Sequence, residues 1–175
     1  MAEEARIAQT EAGAVAATSG WFVVSLGECR WSRSDKVGQW TDFEPPDGFE
    51  HYGIGVHVLQ PGQPNGKYHA ENVQEDFLVL FGECILVVEE RERRLKTWDF
   101  FHCAPGTRHI LVGAGDGPCA ILMAGLRGKG KKVHYPVSEV AARYGASTPE
   151  ETDTPRVAYS DWSRDFTPVR ATWPL

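Results

Sequence analysis

The sequence predicts an all-β fold, a barrel or sandwich of antiparallel strands. Three observations carry that prediction. The apolar runs are short and rich in β-branched and aromatic residues. They recur at close spacing. Gly, Pro, Asn or Asp punctuates the gaps between them. The 175 residues suffice for one domain that buries about two-thirds of its surface. A content of 42% hydrophobic and 24% charged residues is ordinary for a globular chain and excludes wholesale disorder.

Residues 1–19 hold Ala, Glu and Gly but no aromatic, and are expected to form a flexible N-terminal arm or a marginal helix. Strands are expected at Trp21–Leu26, His51–Gln60, Asp76–Phe81, Cys84–Glu89, Phe100–Cys103, His109–Val112 and Cys119–Ala124. Explicit turns lie at PGQPNG (61–66), PGT (105–107) and GAGDGP (113–118). One helix is expected, Ser138–Tyr144, which Gly145 stops. The plan is therefore an arm at 1–19, a barrel at 20–135, and a short helix with a meandering tail at 136–175. The tail is expected to pack Trp162, Phe166 and Trp173 on the barrel or on a partner subunit. Phe77, Phe81, Phe100 and Phe101 read as core, and Trp21, Trp31 and Trp40 as cover for a barrel edge or a dimer interface.

Composition excludes several functions. No apolar run approaches the roughly 20 residues of a membrane span. Eighteen basic against 24 acidic residues leave a net charge of -6, unsuited to nucleic acid. The stretch RGKGKK at 127–132 reads as a solvated loop rather than an anion contact. The acidic start MAEEARIAQTEAG lacks the basic-then-apolar order of a secretory signal, so a cytoplasmic location is expected. Cys29, Cys84, Cys103 and Cys119 form no C-x-x-C pair and read as reduced thiols, the last three buried in apolar strands.

The chemistry sits in Tyr68-His69-Ala70-Glu71-Asn72-Val73-Gln74-Glu75. In an extended segment His69 and Glu71 leave the same face. Glu75 opens the strand EDFLVLF, while Gln74 and Asp76 beside it face the other way by alternation. Later, Pro105-Gly106-Thr107-Arg108 turns the chain and delivers His109 at a strand start. Two imidazoles with one or two carboxylates suit a divalent first-row metal and leave open coordination positions. No thiolate joins them, which argues against a closed structural zinc site. His57 lies opposite Ile54, Val56 and Val58. It either lines the barrel mouth or is a hydrogen-bonded or exposed strand residue. His102 either faces the lumen or packs.

These residues resemble the two motifs of the cupin superfamily. His69, Glu71, Glu75 and Gly82 fall at the spacing of the first, with Glu71 where a second histidine belongs and Gly62 one residue too far from His69. Gly106 and His109 match the second, which departs at Trp98, Ala104 and Gly113. The resemblance covers about residues 53–125. It implies an antiparallel double-stranded β-helix, a jelly-roll barrel, with one short C-terminal helix. It implies His69, Glu75 and His109 as ligands of Fe, Mn, Ni or Zn. Glu71 is then a fourth ligand, or a base or substrate contact beside the metal. The implied function is a metal-dependent oxygenase, isomerase or decarboxylase of a small organic molecule, or a non-catalytic sensor or carrier of one. A metal-free epimerase using His69 with Tyr68 or Tyr52 is a third reading. A homodimer is implied, joined through residues 21–31 or the tail.

Overall fold

The computed structural model describes residues 1–45, 47–163 and 165–172. Trp173, one of the tail aromatics, lies outside the described residues.

The strands run in chain order as β1 (Ile7–Thr10), β2 (Gly13–Ala16), β3 (Arg30–Ser34), β4 (Gly38–Thr41), β5 (Tyr52–Leu59), β6 (Ala70–Glu71) and β7 (Glu75–Phe81). There follow β8 (Glu83–Val88), β9 (Arg91–Lys96), β10 (Phe100–Cys103), β11 (His109–Ala114), β12 (Cys119–Leu126) and β13 (Val133–His134). The helices α1 (Glu139–Ala142) and α2 (Pro155–Ala158) precede β14 (Thr167–Arg170). A seven-stranded antiparallel sheet has the order β10-β7-β12-β5-β4-β3-β14. A three-stranded sheet has the order β11-β8-β9.

Side-chain alternation sorts each strand into an inner and an outer face. Between the two sheets, Leu59, Phe77, Val79 and Ile121 meet Leu86 and Leu111 in one core. Val56, Val58 and Ala120 turn outward and are covered by Trp31, Cys29, Val24 and Leu26. Behind the smaller sheet, Val87, Ile110 and Val112 are covered by Ala141 and Ala146 around α1. All four cysteines are free and buried, as the apolar contexts of Cys84, Cys103 and Cys119 implied for those three. Ser138 caps α1 by accepting from the Ala141 N–H at 3.0 Å, and Gly145 ends the segment at φ +67°.

Several expectations change. The first 19 residues contain the hairpin β1–β2 rather than a helix, because Ala14 and Ala16 bury one face and Ala14 N–H bonds to Glu28 C=O. Trp21–Leu26 is not a strand. Trp21 makes one isolated bridge to Glu4, and Val24 and Leu26 pack as irregular cover. β9, with sequence RERRLK, forms despite its charge because β8 supplies its hydrogen bonds and its outer side faces water. Glu89 and Glu90 both take positive φ between the two strands, which lets the hairpin close tightly. Phe81 and Phe100 are not core. They are 48% and 62% exposed, at the end of β7 and on the edge strand β10. The tail supplies a second helix, α2, and its strand β14 extends the main sheet by pairing with β3.

Trp31 is 1% exposed and is the largest fully buried side chain among the described residues. Its indole N–H donates to Leu26 C=O at 3.1 Å, so it ties the irregular cover to the sheet. Trp31→Ala is expected to cost about 3–5 kcal/mol, read as a lowered denaturant midpoint at unchanged slope. A loss below about 1 kcal/mol would show that the cover packs independently of it.

Candidate functional site

The site is built by backbone pairing. His69 and His109 form an isolated antiparallel bridge, with His69 N–H to His109 C=O at 3.2 Å and the reverse bond at 2.8 Å. Directly paired residues project to the same side of a sheet. The two imidazoles therefore lie with centroids 4.8 Å apart. Glu75, at the start of β7, shares the inward face of Phe77 and Val79. Its Oε2 lies 3.7 Å from His69 Nε2 and 3.5 Å from His109 Nε2. One ligand atom from each of the three residues falls within 4.8 Å of the others.

The ring orientations are fixed from behind. His69 Nδ1 lies 2.8 Å from Lys67 C=O, and His109 Nδ1 lies 3.1 Å from Thr107 C=O. A carbonyl only accepts, so each Nδ1 carries the proton and each Nε2 presents a lone pair in the neutral ring. Cys103 Sγ approaches His109 Nδ1 at 3.3 Å. Burial pushes that thiol up to about 12, so it is no thiolate ligand. Glu75 Oε2 is buried with no hydrogen-bond partner. An orphaned carboxylate oxygen facing two imidazole lone pairs fits a divalent cation. Without one, burial disfavours charge on His69, but the Glu75 carboxylate outweighs it and raises the His69 pKa. Burial likewise pushes Glu75 up, and His69 outweighs it and holds the carboxyl below its usual range. Burial, with His69 beside it, lowers His109 to about 4.

The triad opens into a cavity of about 650 Å³. Trp40, His57, Phe77, Met123 and Phe166 form much of its wall. His57 thus faces the lumen, on the side opposite Val56 and Val58. Its Nε2 donates to Val37 C=O at 2.5 Å, leaving Nδ1 buried and unpartnered. His102 lies outside. It is exposed on β10 and pairs with Asp76 at 2.7 Å, while Gln74 bonds to the same carboxylate.

Glu71 is not brought into the triad. Its carboxylate lies 2.6 Å from Lys131 Nζ and lines a neighbouring depression rather than the main cavity. The stretch 127–132 is correspondingly more than a solvated loop. Arg127 and Lys131 both reach the main cavity, and Arg127 pairs with Glu44. Asn72 pins the loop by bonding Gly130 C=O and Lys132 N–H. Tyr159 and Trp162, from the tail, also line the cavity. No local signal marked them, because the tail returns across the barrel from roughly 90 residues away.

Residues 55–125 match the family model described as a cupin domain. A Silicibacter pomeroyi protein, described as a sugar phosphate isomerase from a cupin superfamily, is 21% identical with a TM-score of 0.51 over 59% of this chain and 75% of that one. A protein from Acidithiobacillus ferrooxidans, provisionally described as a sugar phosphate isomerase, is 26% identical at a TM-score of 0.48 over 50% of this chain. The chain covers 57% of that protein's length. The polyketide cyclase RemF from Streptomyces resistomycificus is 18% identical at 0.45, over 50% of this chain and 63% of that one. No curated protein matches the sequence. The barrel is the cupin double-stranded β-helix. Among the described residues no helix is long and apolar enough to cross a membrane.

Burial lowers the His57 pKa from 6.5 to about 4. The unfolded state therefore binds more protons than the folded state between those values. Stability is full above pH 6.5 and falls as pH drops towards 4. His57→Gln is expected to remove about one proton's share of that slope, about 1.4 kcal/mol per pH unit. Urea titrations across this window check it, and an unchanged slope would contradict it.

Proposed function

We propose that this chain, a cupin-superfamily protein whose domain match spans residues 55–125, holds one divalent metal ion on His69, Glu75 and His109 and transforms a small organic molecule in the adjoining cavity. The observation that carries this reading is the buried, unpartnered Glu75 Oε2 facing two Nε2 atoms whose rings are locked from behind. Two nitrogens and one oxygen, with no thiolate, favour iron(II), manganese, nickel or zinc and leave open coordination positions. An ion held by His69, Glu75 and His109 would supply Lewis-acid polarisation or redox chemistry. The reaction classes that fit are isomerisation, oxygenation and decarboxylation.

The protein's own contributions are positional. Lys67 and Thr107 carbonyls orient the two rings. Phe77 and Phe101 pack at 5.2 and 5.8 Å from the His109 ring and keep that side dry. Apolar cover strengthens electrostatic interactions at the triad. The lining of Trp40, Met123 and Phe166 accommodates an apolar body.

Elemental analysis of protein purified without an affinity metal is expected to give about one equivalent of a first-row metal. His109→Ala and Glu75→Gln are each expected to lose most of it. Metal content unchanged in both variants would place the ion elsewhere and overturn the assignment.

A further inference from the structure

Tyr159, the residue that closes α2, lines the cavity. Its hydroxyl oxygen accepts from the Lys67 backbone N–H at 3.0 Å. The Tyr135 ring packs edge-on against the Tyr159 ring at 5.8 Å. A phenol oxygen has two lone pairs and one proton. The Lys67 N–H occupies one lone pair, so the proton points away from that contact. The hydroxyl approaches this closely because residue 66 is glycine. A Cβ there would lie 3.0 Å from it.

The position is held unusually firmly. Lys67 gives its N–H to Tyr159 and its C=O to His69 Nδ1, so one residue fixes both the hydroxyl and a triad ring. Its fully buried Nζ bonds to Ser147 C=O and Asp161 at 2.8 Å each and lies 4.5 Å from the Trp162 ring centroid. That anchors the chain just beyond Tyr159. A donor fixed beside a cavity whose wall also holds Arg127 and Lys131 matches an acceptor that brings negative charge. Lys131 adds a cation to the cavity wall, while Trp40, Phe77 and Met123 offer apolar surface.

We propose that Tyr159 donates a hydrogen bond to an oxyanion in the cavity, so that the ligand is a small planar organic anion, an enolate- or phenolate-type oxygen on an apolar body. This rests on the reading that the cavity beside the triad is the ligand site.

The test uses the full chain and two probes of similar shape, 4-nitrophenolate and 4-nitrotoluene, with binding read by calorimetry and by the phenolate absorption band. Wild type is expected to bind 4-nitrophenolate. Tyr159→Phe is expected to weaken it about tenfold and to leave 4-nitrotoluene unchanged within about twofold. Gly66→Ala, which crowds the hydroxyl without removing it, is expected to lose the same selectivity and serves if Tyr159→Phe does not fold. Equal losses for both probes, undiminished phenolate binding in the variants, or no phenolate binding by wild type would each overturn the proposal. Metal content of the same samples is read separately. A metal-free wild type that still shows the Tyr159-dependent selectivity would overturn the metal assignment and leave this one standing.

Discussion

The site depends on the reciprocal backbone pair between His69 and His109. Two hydrogen bonds across an antiparallel bridge force both rings to one side of the sheet and set their centroids 4.8 Å apart. Burial, with His69 beside it, lowers the His109 pKa to about 4, so crowding the two rings at this depth costs free energy. The fold therefore imposes the constellation, and Glu75 offsets its cost from the neighbouring strand. The seven-stranded sheet supplies Glu75, the smaller sheet supplies His109, and the jelly-roll crossing makes them meet.

Lys67 extends this constraint to the tail. A fully buried ammonium requires dense compensation. It receives two main-chain carbonyls, one carboxylate and an indole face, all from residues 145–162. The side chain that docks the tail thus belongs to the residue whose carbonyl orients His69. Tail placement and triad geometry are mechanically linked, which is how residues far along the chain come to wall the cavity.

Charge is handled pairwise. Arg127 is matched by Glu44, Lys131 by Glu71, and His69 by Glu75. The last two each leave a buried carboxylate oxygen without a hydrogen bond, and among the described residues Glu75 alone sets that oxygen beside two ring nitrogens. That difference separates the triad from the other ion pairs, although all draw on the same residue types. Glu71 and Glu75 both stand at motif spacing in the sequence, yet Glu71 Oε2 lies against Lys131 Nζ while Glu75 Oε2 lies against the two histidines.

The sequence by itself determined the β class, most barrel strands and the capped helix at Ser138, because period-two alternation and turn chemistry are local properties, and it named His69, Glu75 and His109, which the barrel brings together. It left His57 open between the barrel mouth and a strand hydrogen bond, and it has both. It missed β9 and β14, whose polar sequences become strands only when a partner supplies hydrogen bonds. It missed Tyr135, Tyr159, Trp162 and the buried role of Lys67 for a related reason. Their contacts span from roughly 20 to more than 90 residues, and no local pattern encodes which distant backbone will cross a given side chain. Tertiary structure alone decided that Glu71 faces Lys131 while Glu75 faces the histidines, because that outcome depends on where the 127–132 loop settles.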